Sequence, residues 1–324
     1  MRLSIIRRII IILLITSLIL LLTTSFFSSN ILKCDRIKPN LRNFPIVIVN
    51  HSDVSSHPKR SRLISFLISP NSSICHPNIL VVHSHFSNTQ ERIRLRTIFE
   101  KISFRLLFVL GIESNRSTEI LRDELNEFDD LLLVDVEEDY HNITYKAQGW
   151  IRYLHEKCAD VKWIVKMDDD VEVNSSLLQS LLLNYRHYSK VLIGRVYLNN
   201  RVVRNNQSKW FLSHSEYKSS HLGEYLQGMG YVISGDLLSI MRENIEKVQY
   251  LWMDDWYVTH ALLNGTSSSL IDISTHVGSV NSRNDVDELK RRKGPLIFMH
   301  LRPKEEFSSA ERHRIWKEIQ MNCE

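Results

Sequence analysis

The sequence predicts an α/β fold with a mostly parallel central sheet, preceded by one N-terminal transmembrane helix. Three observations predict it. Short apolar runs alternate with helix-length amphipathic segments over residues 78–188, the pattern of successive βαβ units. One of those runs, Trp163-Ile164-Val165-Lys166-Met167, ends in three consecutive acids, Asp168, Asp169 and Asp170. Residues 9–32 carry no charge and are mostly Ile, Leu and Phe.

That first apolar run is long enough for the ~30 Å hydrocarbon core of a bilayer. Arg2, Arg7 and Arg8 precede it, so the positive-inside rule leaves residues 1–8 cytoplasmic and sends the rest across. A cleaved signal peptide is the alternative, but its apolar region is usually ~7–15 residues and ends at a small-residue site that is not evident here. A retained type II anchor is the expectation. Without residues 1–32 the chain has 38 basic and 37 acidic residues, which gives no electrostatic case for a nucleic-acid partner.

Four cysteines, Cys34, Cys75, Cys158 and Cys323, lack the paired spacing of a zinc site. In a translocated domain they allow one or two disulfides, whose pairing the spacing does not decide. Asn-x-Ser/Thr tripeptides at Asn50, Asn71, Asn115, Asn142, Asn174, Asn206 and Asn264 fit a secretory compartment.

Residues 33–77 are rich in Ser, Asn, Pro and His, and read as a stem with one isolated strand-like run at 46–49. The regular domain is expected over 78–324. Its strands fall at 79–82, 106–110, 131–134, 163–167 and 191–196, with helices over 90–101, 117–128, 144–157 and 175–188. Residues 199–220 are polar and suggest loops or a hairpin. Next comes Tyr225-Leu226-Gln227-Gly228-Met229-Gly230-Tyr231-Val232-Ile233-Ser234, where two of the chain's ten glycines stand within three positions. Gly228 and Gly230 permit either close backbone approach to a ligand or an ordinary bulge. Asp254 and Asp255 open a helical stretch to Asn264, where acids also complement the helix dipole. Ser308 and Glu311 form a capping box for a C-terminal helix.

The acidic run carries the chemistry. In open α/β sheets ligands bind beyond the carboxyl ends of the strands, where these three acids stand. Adjacent carboxylates repel, and a divalent cation such as Mg²⁺ or Mn²⁺ relieves them while bridging to a substrate phosphate. A solvated acidic turn is the plainer reading. A calcium loop starting at Asp168 fails, because Val173 and Gln179 occupy the positions that need Gly and Glu. His300, after an apolar run, is by spacing alone a core histidine rather than a ligand.

Six segments in order resemble the β-1,3-galactosyltransferase family, which includes β-1,3-N-acetylglucosaminyltransferases and is related to Fringe. They are Arg92-Ile93-Arg94-Leu95-Arg96-Thr97-Ile98-Phe99, Phe108-Val109-Leu110-Gly111, Asp139 through Lys146, Lys166 through Asn174, Tyr225 through Ser234, and Asp254-Asp255-Trp256-Tyr257-Val258. The resemblance covers residues 78–321. It implies a GT-A type nucleotide-sugar-binding fold, Mn²⁺, a UDP-sugar donor and a Golgi type II protein. By the same resemblance Asp170 and His300 would be metal ligands, and Asp168 and Asp169 would lie at the nucleotide. Arg92 and Arg96 would face the diphosphate, Gly228 and Gly230 would border the sugars, and Asp255 would be the catalytic base.

The sequence departs from the family pattern at Ile98, Phe99, Glu172, Asp254 and Trp256. Trp256 bears on acceptor choice and Glu172 adds charge beside the metal strand. The expected function is Mn²⁺-dependent, inverting transfer of galactose or N-acetylglucosamine from UDP to a glycan hydroxyl in β-1,3 linkage. The acceptor would be a glycoprotein or glycolipid. The alternative is a catalytically silent relative that binds carbohydrate or stabilises a partner, with Ile98, Glu172 and Trp256 as its support.

Overall fold

A computed structural model describes residues 41, 44–51, 64–71, 74–113, 120–292, 294–301 and 307–321. The expected membrane span at 9–32 lies outside them. Among the described residues no helix is long and apolar enough to cross a membrane.

The larger of two compact units holds residues 41–280 and 296–302. Its strands are β1 (Ile46–Asn50), β2 (Phe66–Ile68), β3 (Asn78–His83), β4 (Arg105–Ile112), β5 (Leu131–Glu137), β6 (Trp163–Asp168), β7 (Val171–Val173), β8 (Val191–Gly194), β9 (Val196–Tyr197), β10 (Tyr225–Leu226), β11 (Gly230–Ser234), β12 (Ser267–Asp272), β13 (Val277–Val280) and β14 (Phe298–Leu301). Among the described residues, nine strands form one sheet in the order β1-β12-β8-β11-β6-β3-β4-β5-β2.

The βαβ reading holds for the middle of this sheet, where β6, β3, β4 and β5 run parallel. The sheet as a whole is mixed rather than mostly parallel. Strand β11 inserts antiparallel between β6 and β8, and both edge strands are antiparallel to their neighbours. Those edge strands, β1 and β2, lie in the segment expected to be stem, so the folded unit begins well before residue 78. Strand β1 matches the strand-like run at 46–49, whereas β2, three residues long, escapes a sequence reading, and neither announces its place in the sheet. Ile46 and Ile48 of β1 are exposed, so no alternating apolar face marks the strand as part of a core.

Alternation along the inner strands divides the core. Ile79 and Val81 of β3 face one layer with Trp150, Ile151 and Leu154, while Leu80 and Val82 face the other with Leu95, Phe99 and Leu178. The helices of this unit are α1 (Thr89–Phe99), α2 (Arg122–Glu127), α3 (Ile143–Lys157), α4 (Ser175–Asn184), α5 (Leu238–Asn244) and α6 (Asp254–Thr259). Helix α3 is buried on every side from Lys146 to Leu154 and packs on the first layer, while α1 and α4 cover the second. Asn174 caps α4 by accepting a hydrogen bond from the Leu177 N–H at 3.0 Å. A disulfide joins Cys75, just before β3, to Cys158, just after α3. Cys34 and Cys323 lie outside the described residues.

The second unit contains α7 (Arg283–Arg291) and α8 (Ser309–Met321). Ser282 and Asp285 form a capping box for α7, and the two helices are linked by Arg283–Glu311 at 3.0 Å and Lys290–Glu318 at 2.6 Å. The expected box at Ser308 and Glu311 is half formed, with the Glu311 N–H donating to Ser308 Oγ.

Candidate active site

The carboxyl ends of β3 and β6 are level, since His83 pairs with Asp168. Beyond them the chain turns through Asp169 and Asp170 into β7, which lies antiparallel to β14 with Val171 opposite His300. That register brings His300 Nε2 to 3.3 Å from Asp170 Oδ2, although 129 residues separate Val171 from His300 in the chain. The two proposed ligands are therefore together. Among the described residues no group of three or more His, Cys, Asp or Glu side chains is arranged to hold a metal. A carboxylate oxygen with an imidazole nitrogen is a donor set suited to Mn²⁺. Two protein ligands leave positions for diphosphate oxygens, the usual way such ions are held with a nucleotide. The pair fits the implied ion.

Asp169 and the two arginines are placed differently from the expectation. Asp169 is buried, and its Oδ2 accepts from Ser84 Oγ at 2.7 Å and Asn88 Nδ2 at 2.9 Å, tying the turn to the loop after β3. Arg92 is fully buried, with Nε and Nη2 each 2.7 Å from Glu124 and Nη1 on Ser84 Oγ and the His85 carbonyl. Arg96 donates to Glu124 and Asp130 at 2.7 Å and stacks over the Phe128 ring at 3.9 Å. Both guanidinium groups face acids of the protein itself, where no diphosphate can displace them without stranding Glu124. Arg92 braces the loop after β3, and Arg96 ties α1 to Glu124 of α2 and to Asp130 before β5.

The third arginine of that segment reaches the acidic turn. Arg94 Nη2 donates to the carbonyls of Asp169 and Val171 at 3.0 and 3.1 Å, and Nη1 donates to Glu172 Oε2 at 3.1 Å. This accounts for Glu172, the departure on β7: its buried carboxylate has a cation from α1.

On the other side, Lys166 projects from β6 on the same face as Asp168 and is almost fully buried. Its Nζ lies 2.9 Å from Asp168 Oδ1, 3.0 Å from the Gly228 carbonyl and 3.2 Å from Asp254 Oδ2. Burial works against this charge, but Asp168 and Asp254 outweigh it and hold the ammonium well above its usual range. His83 Nδ1 stands 3.6 Å from the same Asp254 oxygen, and burial, with Lys166 and Lys146 nearby, keeps its ring neutral. Lys146 Nζ donates to the Ser84 carbonyl at 2.8 Å and to Glu138 at 2.9 Å.

Asp254 and Asp255 diverge at the start of α6 because adjacent helical residues point apart. Asp254 turns inward to Lys166. Asp255 turns toward the Gly228 backbone, and its Oδ1 accepts the Trp256 N–H at 2.8 Å. The residue is partly exposed, while its carboxyl group lies among protein atoms. That burial and the adjacent Asp254 push its carboxyl up to about 7, against the pull of the Trp256 N–H, Lys166 and the Gly228 N–H.

The glycines explain themselves by space. A Cβ at Gly228 would stand 3.1 Å from the Asp255 Cβ, and one at Gly230 would stand 2.8 Å from the Phe298 ring. Trp256 is buried, donates its indole N–H to the Leu222 carbonyl at 2.7 Å and packs edge-on to Tyr217. It fills core, so this departure has a packing role.

Lys166, Lys146 and Arg94 fall within the family-like segments, but the sequence assigns none of them a role. Lys166 had a usable signal: a lysine inside an otherwise apolar strand, two residues from an acid, shares that acid's face.

Residues 87–273 match the family model for Galactosyltransferase, more than half of the chain. A β-1,3-galactosyltransferase 5 of Pan paniscus is 29% identical over 187 residues, which is 56% of this chain and 62% of that protein. A UDP-GalNAc:β-1,3-N-acetylgalactosaminyltransferase 1 of Homo sapiens is 28% identical over 225 residues, 65% of this chain and 66% of that protein. The chain thus spans less than two thirds of the length of these curated relatives. A galactosyltransferase solved with donor and acceptor sugar analogs aligns at a TM-score of 0.39 and 10% identity, covering 74% of this chain and 95% of that one, too distant to bear on function. The matched segment runs from the loop after β3 through β12, so it includes the acidic turn, the Gly228 turn and Asp255, and by that match the chain belongs to the galactosyltransferase family.

Proposed function

We propose that this protein is an inverting, Mn²⁺-dependent hexosyltransferase of the GT-A type. It moves galactose or an N-acetylated hexosamine from UDP to a glycan hydroxyl in β-1,3 linkage. The observation that carries the reading is the separation of two carboxylate roles. Asp170 sits with His300 at the end of the β6–β7 turn, while Asp255 stands apart beside Gly228 with its carboxyl raised to about 7.

Asp170 and His300 would hold the ion, which when bound supplies positive charge to the departing diphosphate. Asp168 would meet the nucleotide from the same strand end. Asp255, ionised above about pH 7, takes the proton of the acceptor hydroxyl. The acceptor oxygen then bonds to the anomeric carbon as the carbon–oxygen bond to UDP breaks, and the electron pair leaves on the phosphate oxygen. Attack opposite the leaving group converts an α-linked donor into a β-linked product. Glu172 and Trp256, which favoured a silent relative, each have a structural partner, and that removes their weight.

The reading includes a type II anchor at 9–32 and a luminal domain in the Golgi. The charge pattern of the N-terminus and a disulfide at Cys75–Cys158, a bond favoured in oxidising compartments, support it. The test is UDP release by residues 34–324 from a panel of UDP-sugars, with glycan acceptors, in Mn²⁺ and in EDTA. Acceptor-stimulated release from one sugar in Mn²⁺ alone is expected. Binding of glycan without turnover of any donor would establish the silent relative instead.

A further inference from the structure

We propose that Lys166 is a positioning residue that fastens the helix bearing Asp255 and the Gly228 turn to the nucleotide-side strand β6. The inference rests on Asp255 being the base. One ammonium group joins three separate pieces of chain: Asp168 on its own strand, the Gly228 carbonyl before β11, and Asp254 on α6. Each contact lies next to a group with a different task. By the proposed function Asp168 would meet the nucleotide, while Gly228 packs against Asp255 and Asp254 immediately precedes it.

No neutral side chain can replace this node. Asp254 is buried with His83 and Lys166 as its polar neighbours, and the His83 ring is uncharged. Removing the cation leaves the Asp254 carboxylate without compensation at 3.2 Å from where the ammonium stood. The turn at Gly228 loses its fixed carbonyl at the same time. Both changes reach Asp255, through its neighbour in the chain and through the backbone it packs against. The charged and titratable groups around this pair are Asp168, Asp254, His83, Lys146, Tyr225 and Tyr231. Among them Lys166 is the cation that favours ionised Asp255.

A positioning role is distinguished from bulk stability by the pH dependence of turnover. The experiment follows kcat against pH for the parent protein, Lys166→Met, Lys166→Arg and Asp254→Asn, each with its melting temperature. Lys166→Met is expected to lose about tenfold or more in kcat, the scale of a small misplacement of a reacting group. Its acid limb should move upward by about half a pH unit or more, and Lys166→Arg should restore much of both. Asp254→Asn should move the acid limb downward, since it removes the like charge beside Asp255. If Lys166→Met does not fold, Lys166→Gln takes its place, with the same expected loss in kcat and upward shift. A parent acid limb that neither substitution moves, or a downward move in Lys166→Met, overturns the proposal. A parent profile with no acid limb between pH 5 and 9 removes Asp255 as base, which is a failure of the functional reading and not of this one.

Discussion

Arg94 Nη1 lies 3.1 Å from Glu172 Oε2, and this pair joins helix α1 to strand β7 just past the acidic turn. Arg94 also holds the Asp169 and Val171 carbonyls, so it fixes the backbone on both sides of Asp170. Arg94→Met leaves the buried Glu172 carboxylate without its cation and should lower stability by about 1–3 kcal/mol. The double variant Arg94→Met/Glu172→Phe, which removes both charges, should recover most of that loss. Urea unfolding of Arg94→Met, Glu172→Phe and the double variant checks it, and additive losses in the double variant would show that the pair does not act as a unit.

Asp170→Asn and His300→Ala should each weaken Mn²⁺-dependent UDP binding by about 10- to 100-fold, the range for loss of a metal contact or its support. Asp169→Asn should leave that affinity far less changed and lower the melting temperature instead, because its carboxylate serves Ser84 and Asn88. Calorimetry with UDP in Mn²⁺ and in EDTA separates the two classes. Equal UDP affinity in both solutions would remove the ion from the site.

Asp255→Asn should cut turnover by about 10²–10⁴-fold while Mn²⁺ and UDP binding survive. Stability should move the other way. A carboxyl raised from its ordinary value of 3.8 to about 7 binds its proton more tightly in the folded state. Stability is therefore lost as pH rises between those values. Asp255→Asn lacks that loss, so it should melt above the parent at pH 8, with the gap closing toward pH 4. A gap of the same size at both pH values would mean that the carboxyl titrates normally.

Reduction of Cys75–Cys158, which are 83 residues apart, should cost about 2–5 kcal/mol. The bond ties the entry of β3 to the exit of α3, so Cys75→Ser should lower the melting temperature of a fragment spanning residues 34–324. Thermal melts with and without reductant should differ for the parent and coincide for the variant.

The acid-tipped strand is legible because a short apolar run and the acids that follow it are local signals. So were α3 and α4, whose apolar faces repeat at helical spacing. What local pattern does not hold is the partner. Arg92 declares a charge, but only the fold shows that Glu124 of α2 receives it. His300 reads as a core residue until β14 is seen paired with β7. The run at 46–49 reads as an isolated strand and β2 reads as stem, because a three- to five-residue edge strand with exposed apolar residues does not show which neighbour it pairs with.

Phe298 and His300 stand two positions apart on β14, so both project to one side of it, and Phe298 rests where Gly230 has no side chain. The imidazole therefore inherits its position from a missing methyl group on β11. An alanine at 230 would press on that ring, tilt the strand and draw the nitrogen away from Asp170, without touching either ligand.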